Sequence, residues 1–165
     1  MDWHYVDAEF NEYAKELLDS LDDLLFGRVT SQLMAGYWPT SAAIEDDPVI
    51  AERMNTLRKI VFSHTLEKAE WRNTRLFKGN LEQEVEKMKQ QPGKDIAIFG
   101  SSDLSLQLIE KNLIDEYRIF INPIILGQGK TLFKGINNRL RLELTKIRTF
   151  GSGLLLLYYQ PLHQM

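Results

Sequence analysis

Three short stretches combine glycine, hydroxyl and basic residues in the way an anion site needs. Phe26-Gly27-Arg28-Val29-Thr30 places a backbone that a ligand can approach beside a guanidinium and a hydroxyl. If Thr30 opens a helix, the unpaired N–H groups of its first turn and Arg28 suit a phosphate; the plainer reading is a capped helix with a solvent arginine. Phe99-Gly100-Ser101-Ser102-Asp103-Leu104 repeats the arrangement after an apolar run. Here the plainer reading is that Ser102 or Asp103 caps the helix, and the Asp103 carboxylate opposes an anionic ligand. Ser63-His64-Thr65 ends a third apolar run with an imidazole and two hydroxyls, the groups that touch an adenine or a ribose phosphate. A surface-loop histidine is the alternative there.

Other chemistries lack their residues. There is no Gly-x-Gly-x-x-Gly fingerprint and no Gly-x-Ser-x-Gly elbow. Leu126-Gly127-Gln128-Gly129-Lys130 has the composition of a phosphate loop without Walker spacing. Three scattered histidines and no cysteine give no metal-ligand cluster, no disulfide and no thiol nucleophile. Asp115 and Glu116 read as solvated carboxylates, and Tyr37 and Trp38 as packing aromatics.

The elements that must carry these stretches follow from periodicity. Phe10, Tyr13, Ala14, Leu17, Leu18 and Leu21 form one apolar stripe, so Ala8–Leu21 is expected to be a helix capped by Asp7. Leu24–Phe26 reads as a buried strand, and a second helix runs from a Thr30 cap to about Tyr37. Thr40–Pro48 is polar and reads as an exposed loop. Lys59–Ser63, Thr74–Phe77, Asp95–Phe99 and Glu116–Ile121 read as strands, Leu81–Gln90 and Leu104–Lys111 as helices, and Pro123–Lys130 as a loop. Arg141–Phe150 and Leu154–Gln160 flank a Gly151-Ser152-Gly153 turn and form a hairpin. Alternating strands and helices imply a mostly parallel sheet covered on both faces, ending in an antiparallel hairpin. Ligands of such sheets bind beyond the strands' carboxyl ends, where all three candidate stretches fall.

A chain of 165 residues with 44 % hydrophobic and 26 % charged residues suits one globular domain. A net charge of −3 without a basic tract argues against nucleic acid as a partner. No apolar run approaches the roughly 20 residues of a membrane helix. Met1-Asp2-Trp3-His4 is not a signal peptide, so the expected location is cytoplasmic.

Order and spacing together carry a resemblance that spans nearly the whole chain. Leu25–Thr30, Lys59–Leu66, Asp95–Ser102 and Leu113–Tyr117 through Asn122–Gly129 resemble the dihydrofolate-reductase-like family, and within it the small stand-alone relatives of the riboflavin-biosynthesis reductase domain. The resemblance implies a three-layer α/β/α fold, NADPH as cofactor, reduction of a small heterocyclic or carbonyl substrate, and a homodimer near whose contact Leu154–Tyr159 lies. It implies that Gly27, Arg28 and Thr30 contact cofactor phosphate, and that Ser63, His64 and Thr65 surround the adenosine 2′-phosphate. There the family commonly has an arginine and this chain has His64. It further implies that Gly100, Ser101, Ser102 and Leu104 turn beneath the pyrophosphate and that Glu116 lies near the substrate as the candidate catalytic residue. The family opens with a strand ending in Ser-Leu-Asp-Gly and a loop to an Asp-Trp pair. This chain opens at Asp2-Trp3, so residues 1–165 are expected to form one domain without that strand. A non-catalytic binding or assembly protein on the same fold is the alternative. A flavodoxin-like reading fails because residues 27–30 are too few and too basic.

Overall fold

The computed structural model describes residues 6–129 and 131–162. The expected readings at Asp2-Trp3 and Lys130 lie outside those residues. The described elements run α1 (Ala8–Asp19), β1 (Leu21–Gly27), α2 (Arg28–Ala35), α3 (Ser41–Asp46), α4 (Pro48–Thr56), β2 (Arg58–Phe62) and β3 (Thr74–Phe77). Then follow α5 (Leu81–Lys89), β4 (Asp95–Ile98), α6 (Ser102–Glu110), β5 (Tyr117–Ile121), β6 (Leu142–Thr149) and β7 (Leu155–Pro161).

The fold is of mixed α/β, dihydrofolate-reductase-like type. Its parallel part is a four-stranded sheet in the order β3-β2-β1-β4, with Phe26 opposite Val61 and Leu24 opposite Ala97. Its antiparallel part is a three-stranded sheet in the order β5-β7-β6. No ladder joins β4 to β5, so the expected mixed sheet lies in two hydrogen-bonded pieces.

Strand β1 is buried on both faces and sorts its side chains by parity. Leu24 and Phe26 pack with Leu18 of α1, Ile50 and Met54 of α4, and Trp71. Leu25 and Ile60 face the other way, onto Val85 of α5 and Leu104 and Leu108 of α6. These are the two helical layers. Helix α1 also reaches the antiparallel sheet, where Tyr13 packs with Phe150, Leu154, Leu156 and Tyr158; Leu17 touches this cluster and the first.

Residues 40–48 are not the exposed loop that their polarity suggests. Thr40 and Asp47 are helix caps: the Asp47 carboxylate accepts from Val49 N and Ile50 N, at 3.0 Å each, and Pro48 takes the first helical position, where its missing N–H costs nothing. The far end of α4 is closed by Lys59. Its buried Nζ donates to the carbonyls of Met54, Asn55 and Leu57 at 2.8, 3.2 and 2.7 Å, beneath the Trp71 ring.

Candidate functional site

The four parallel strands deliver their carboxyl ends to one edge. There β1 runs into Gly27–Thr30, β2 into Ser63–Thr65, β3 into Lys78–Asn80 and β4 into Gly100–Ser102. Two of the expected stretches meet directly. Gly27 N donates to the Ser101 hydroxyl at 3.1 Å, and a Cβ built on Gly100 would lie 3.8 Å from Thr30 Cγ2. The backbone makes this meeting possible by turning left-handed at Gly100 (φ 63°) and Ser101 (φ 52°), a conformation that glycine adopts freely and serine at a cost of about 1 kcal/mol.

The caps set this edge apart. Helices α1, α4 and α5 have first-turn N–H groups filled by Asp7, Asp47 and Asn80. Helices α2 and α6 have no side-chain cap at all. Helix α2 starts at Arg28, so Thr30 lies inside its first turn and is not the expected cap. Ser101 is the N-cap of α6, but its hydroxyl is turned onto Gly27, so neither Ser102 nor Asp103 serves as cap. Two adjacent helix N-termini therefore present backbone donors that no side chain among the described residues caps, and their dipoles add positive potential. Arg28 is exposed beside them and bonds Gln32 Oε1 at 3.2 Å. Asp103 is the acid in the first turn of α6.

The third stretch lies on the same edge in a more committed form. Ser63 N donates to Phe77 O at 3.2 Å, and the Ser63 hydroxyl accepts from Thr65 N and Leu66 N at 3.3 and 3.0 Å, closing a tight turn. His64 and Thr65 are exposed on it. The neighbouring strand end adds Lys78, an exposed cation next in chain to Phe77 that the sequence reading passed over. Its signal was available: a cation and a glycine between the strand Thr74–Phe77 and the helix that Asn80 caps. A surface cavity of about 750 Å³ adjoins this edge, between Ser31 and Gln32 of α2 and the segment Leu66–Arg72.

Two expected site residues lie elsewhere. The Leu104 side chain is core, packed with Leu25, Ile60, Val85 and Leu108, which leaves only its backbone N–H for the edge. Glu116 precedes β5 and pairs with Arg118 Nε at 2.6 Å. Helix α5 leaves the carboxyl edge after β3, and from its last turn Lys89 reaches Leu113 O at 3.1 Å and the Asp115 carboxylate. Residues 113–116 thus sit at the opposite edge of the sheet, away from Gly27 and Ser101. At that edge Asp23 is buried on Arg58 (2.8 Å), and burial raises its carboxyl above the ordinary value. Among the described residues no three acidic or histidine side chains gather as a metal site, and no helix is long and apolar enough to cross a membrane.

A dihydrofolate-reductase-like sheet carrying two uncapped helix starts at its carboxyl edge defines the class. The chain belongs to the RibD C-terminal domain family, whose model matches residues 2–156. It is 32 % identical over 160 residues to the uncharacterized protein YyaP of Bacillus subtilis (strain 168), a match covering 96 % of this chain and 83 % of that one. In fold it is similar to a putative riboflavin biosynthesis protein from Shewanella sp. PV-4, with a TM-score of 0.73 and 22 % identity over 99 % of this chain and 88 % of that one. It is also similar to RibD of Acinetobacter baumannii, with a TM-score of 0.62 and 14 % identity, covering 97 % of this chain and 52 % of that one.

Proposed function

We propose that the protein is an NADPH-dependent reductase of a small heterocyclic or carbonyl substrate. The observation that carries this reading is the pair of uncapped helix N-termini, α2 and α6, fastened side by side through Gly27 and Ser101. A dinucleotide's pyrophosphate is the anion that such paired donors suit. The donor set fits: backbone N–H groups at both helix starts, the Arg28 guanidinium, and no acid other than Asp103 in either first turn. Gly27, Arg28, Thr30, Gly100, Ser101 and Ser102 would hold the pyrophosphate. Ser63, His64, Thr65 and Lys78, one strand further out, would take the adenosine end, with Lys78 and His64 as the cationic partners of a 2′-phosphate. Membership of the RibD C-terminal domain family, and likeness in fold to a putative riboflavin biosynthesis protein, support the same reading.

When bound, the cofactor supplies the reducing equivalents. The chain's own task is to fix the phosphates and so orient what projects from them over the carboxyl ends of β1 and β4. Glu116 lies away from this edge, paired with Arg118. Titrating the protein into NADPH while following nicotinamide fluorescence tests the reading: saturable binding at micromolar protein supports it, and no binding at millimolar cofactor overturns it.

Among the described residues no ladder joins β4 to β5, and that break in the sheet favours a second reading, a binding or assembly protein on the same fold. That reading expects NADPH to bind without being oxidised in the presence of any flavin-precursor-like or carbonyl acceptor.

A further inference from the structure

The polar groups around the cavity of about 750 Å³ beside α2 are of two kinds, those already bonded and those left over. Its apolar walls come from Ala35 on α2, from Leu66, Ala69 and Trp71 on the segment across from it, and from Pro39 and Ile44. The charges around it pair off. Lys68 Nζ meets Glu70 at 2.8 Å, and Arg72 meets Glu52 at 4.0 Å. Asn55 is committed to the walls: its side-chain oxygen takes the Trp71 indole N–H at 2.7 Å, and its amide donates to Trp38 O at 2.9 Å. Two groups on α2 are left. Ser31 is 5 % exposed, and its hydroxyl has no hydrogen-bond partner among the described residues. Gln32 accepts from Arg28 Nη1 at 3.2 Å through Oε1, and its Nε2 has no partner among the described residues. A hydroxyl inside a helix ordinarily bonds the carbonyl one turn back, as Thr56 does to Glu52 O at 2.8 Å. Ser31 does not, and a buried polar group without a partner calls for one from outside the chain.

We propose that this cavity is a second small-molecule site, for a flat, uncharged molecule with an apolar ring and one carbonyl or ring-nitrogen acceptor. An ion would lose its water here without gaining a free counter-charge, because each charged side chain named at the cavity already has its opposite. A ring suits apolar walls that face each other across α2 and the segment 66–72. One acceptor serves both leftover groups, since the Ser31 hydroxyl and the Gln32 amide can each donate and stand next to one another in the chain. Apolar walls with a few convergent polar groups, in a volume of this size, are the usual make-up of small-molecule sites. The site does not depend on the dinucleotide reading. That edge offers backbone N–H groups and cations to an anion, whereas this cavity offers neutral donors between apolar walls. Gln32 connects the two, because its Oε1 holds Arg28.

Benzamide, a neutral ring with one carbonyl, is the probe, and benzoate is its charged control. Titrating nitrogen-15-labelled protein and following its NMR spectrum reads affinity and place together. Benzamide is expected to saturate with a Kd of about 1 to 5 mM, ordinary for a molecule of its size, and to move the signals of Ser31, Gln32, Ala69 and the Trp71 indole. Benzoate should bind at least about fivefold more weakly. Ser31→Ala should weaken benzamide about 5- to 10-fold without lowering the urea midpoint, since no hydrogen bond within the chain is lost. Ala69→Leu fills the cavity from the facing segment and should abolish binding, which gives the answer if Ser31→Ala disturbs α2. Leu33→Ala, on the exposed side of α2 outside the cavity, should leave binding unchanged. No saturation by about 20 mM benzamide, the result if water alone serves these groups, overturns the proposal. So does benzoate binding as tightly as benzamide, binding that survives both Ser31→Ala and Ala69→Leu, or binding that Leu33→Ala removes.

Discussion

Ser101 joins the two halves of the candidate site, and two substitutions there separate its roles. Its hydroxyl accepts from Gly27 N at 3.1 Å while its backbone holds φ 52°. Ser101→Ala removes the hydrogen bond, worth about 1 kcal/mol, and keeps the left-handed cost. Ser101→Gly loses the same bond but relieves about 1 kcal/mol of backbone strain, so its net change is near zero. The alanine variant is therefore expected to be about 1 kcal/mol less stable than the glycine variant. With a urea slope of about 2 kcal/mol/M, the midpoints should differ by about 0.5 M. NADPH affinity should behave differently. Both variants release the tie between α2 and α6, so both should weaken binding by a similar factor, about 5- to 10-fold, or roughly 1 kcal/mol. Urea unfolding by circular dichroism and fluorescence titration give the two readouts. Equal midpoints for alanine and glycine would refute the left-handed assignment. An affinity loss confined to the less stable variant would refute the role of the tie.

Other consequences are as direct. Burial pushes the Lys59 ammonium from 10.5 down to about 8. Between those values the unfolded chain binds a proton that the folded chain has released, so stability should rise from pH 8 to 10, by at most about 1.4 kcal/mol per unit. Burial holds Tyr13 and Tyr117 up at about 12, so above pH 10 the unfolded tyrosines ionise first and stability should fall. Urea midpoints against pH check both limbs; a flat profile from pH 8 to 9.5, or a rise that survives Lys59→Met, contradicts the assignment. Asp47→Ala leaves Val49 N and Ile50 N without their acceptor and should cost about 1 kcal/mol in the same unfolding assay. Hydrogen exchange should be faster at the outward amides of β4 and β5 than anywhere in β1, because among the described residues each of those strands has a partner on one side alone; equal protection would mean the two edges are covered.

Much of the parallel half was legible because its signals are local. Leu24–Phe26 and Asp95–Phe99 are short, largely apolar runs followed by glycine, and both proved to be strands that end one residue from the expected carboxyl bound, β1 starting three residues earlier at Leu21. Residues 40–48 were misread because polar, capping residues mark helix starts as readily as they mark loops. Only the burial of Ile50 and Met54, one helical turn apart, distinguishes the two. The candidate site was legible as three stretches but not as one place. Residues 27 and 101 are 74 apart in sequence, and no local pattern states that a serine hydroxyl will leave its own helix to bond a glycine on another strand. Glu116 shows a second limit: a carboxylate beside a strand carries no mark of which end of the sheet that strand begins from.

The uncapped helices show how this sequence marks its candidate site. Asp, Thr and Asn residues are spent on α1, α3, α4 and α5, where a bonded first turn adds to stability. At α2 and α6 the chain places Gly27 and a left-handed Ser101 instead, forgoing a few tenths of a kcal/mol at the first and about 1 kcal/mol at the second. Natural sequences depart from their own local rules chiefly where function requires it. Here both departures fall on the same edge and touch one another, which two independent accidents of capping would not do. A site that must receive a ligand's negative charge has to leave those donors unfilled, and it is the coincidence of the two vacancies, more than any one side chain, that points to an anion spanning them.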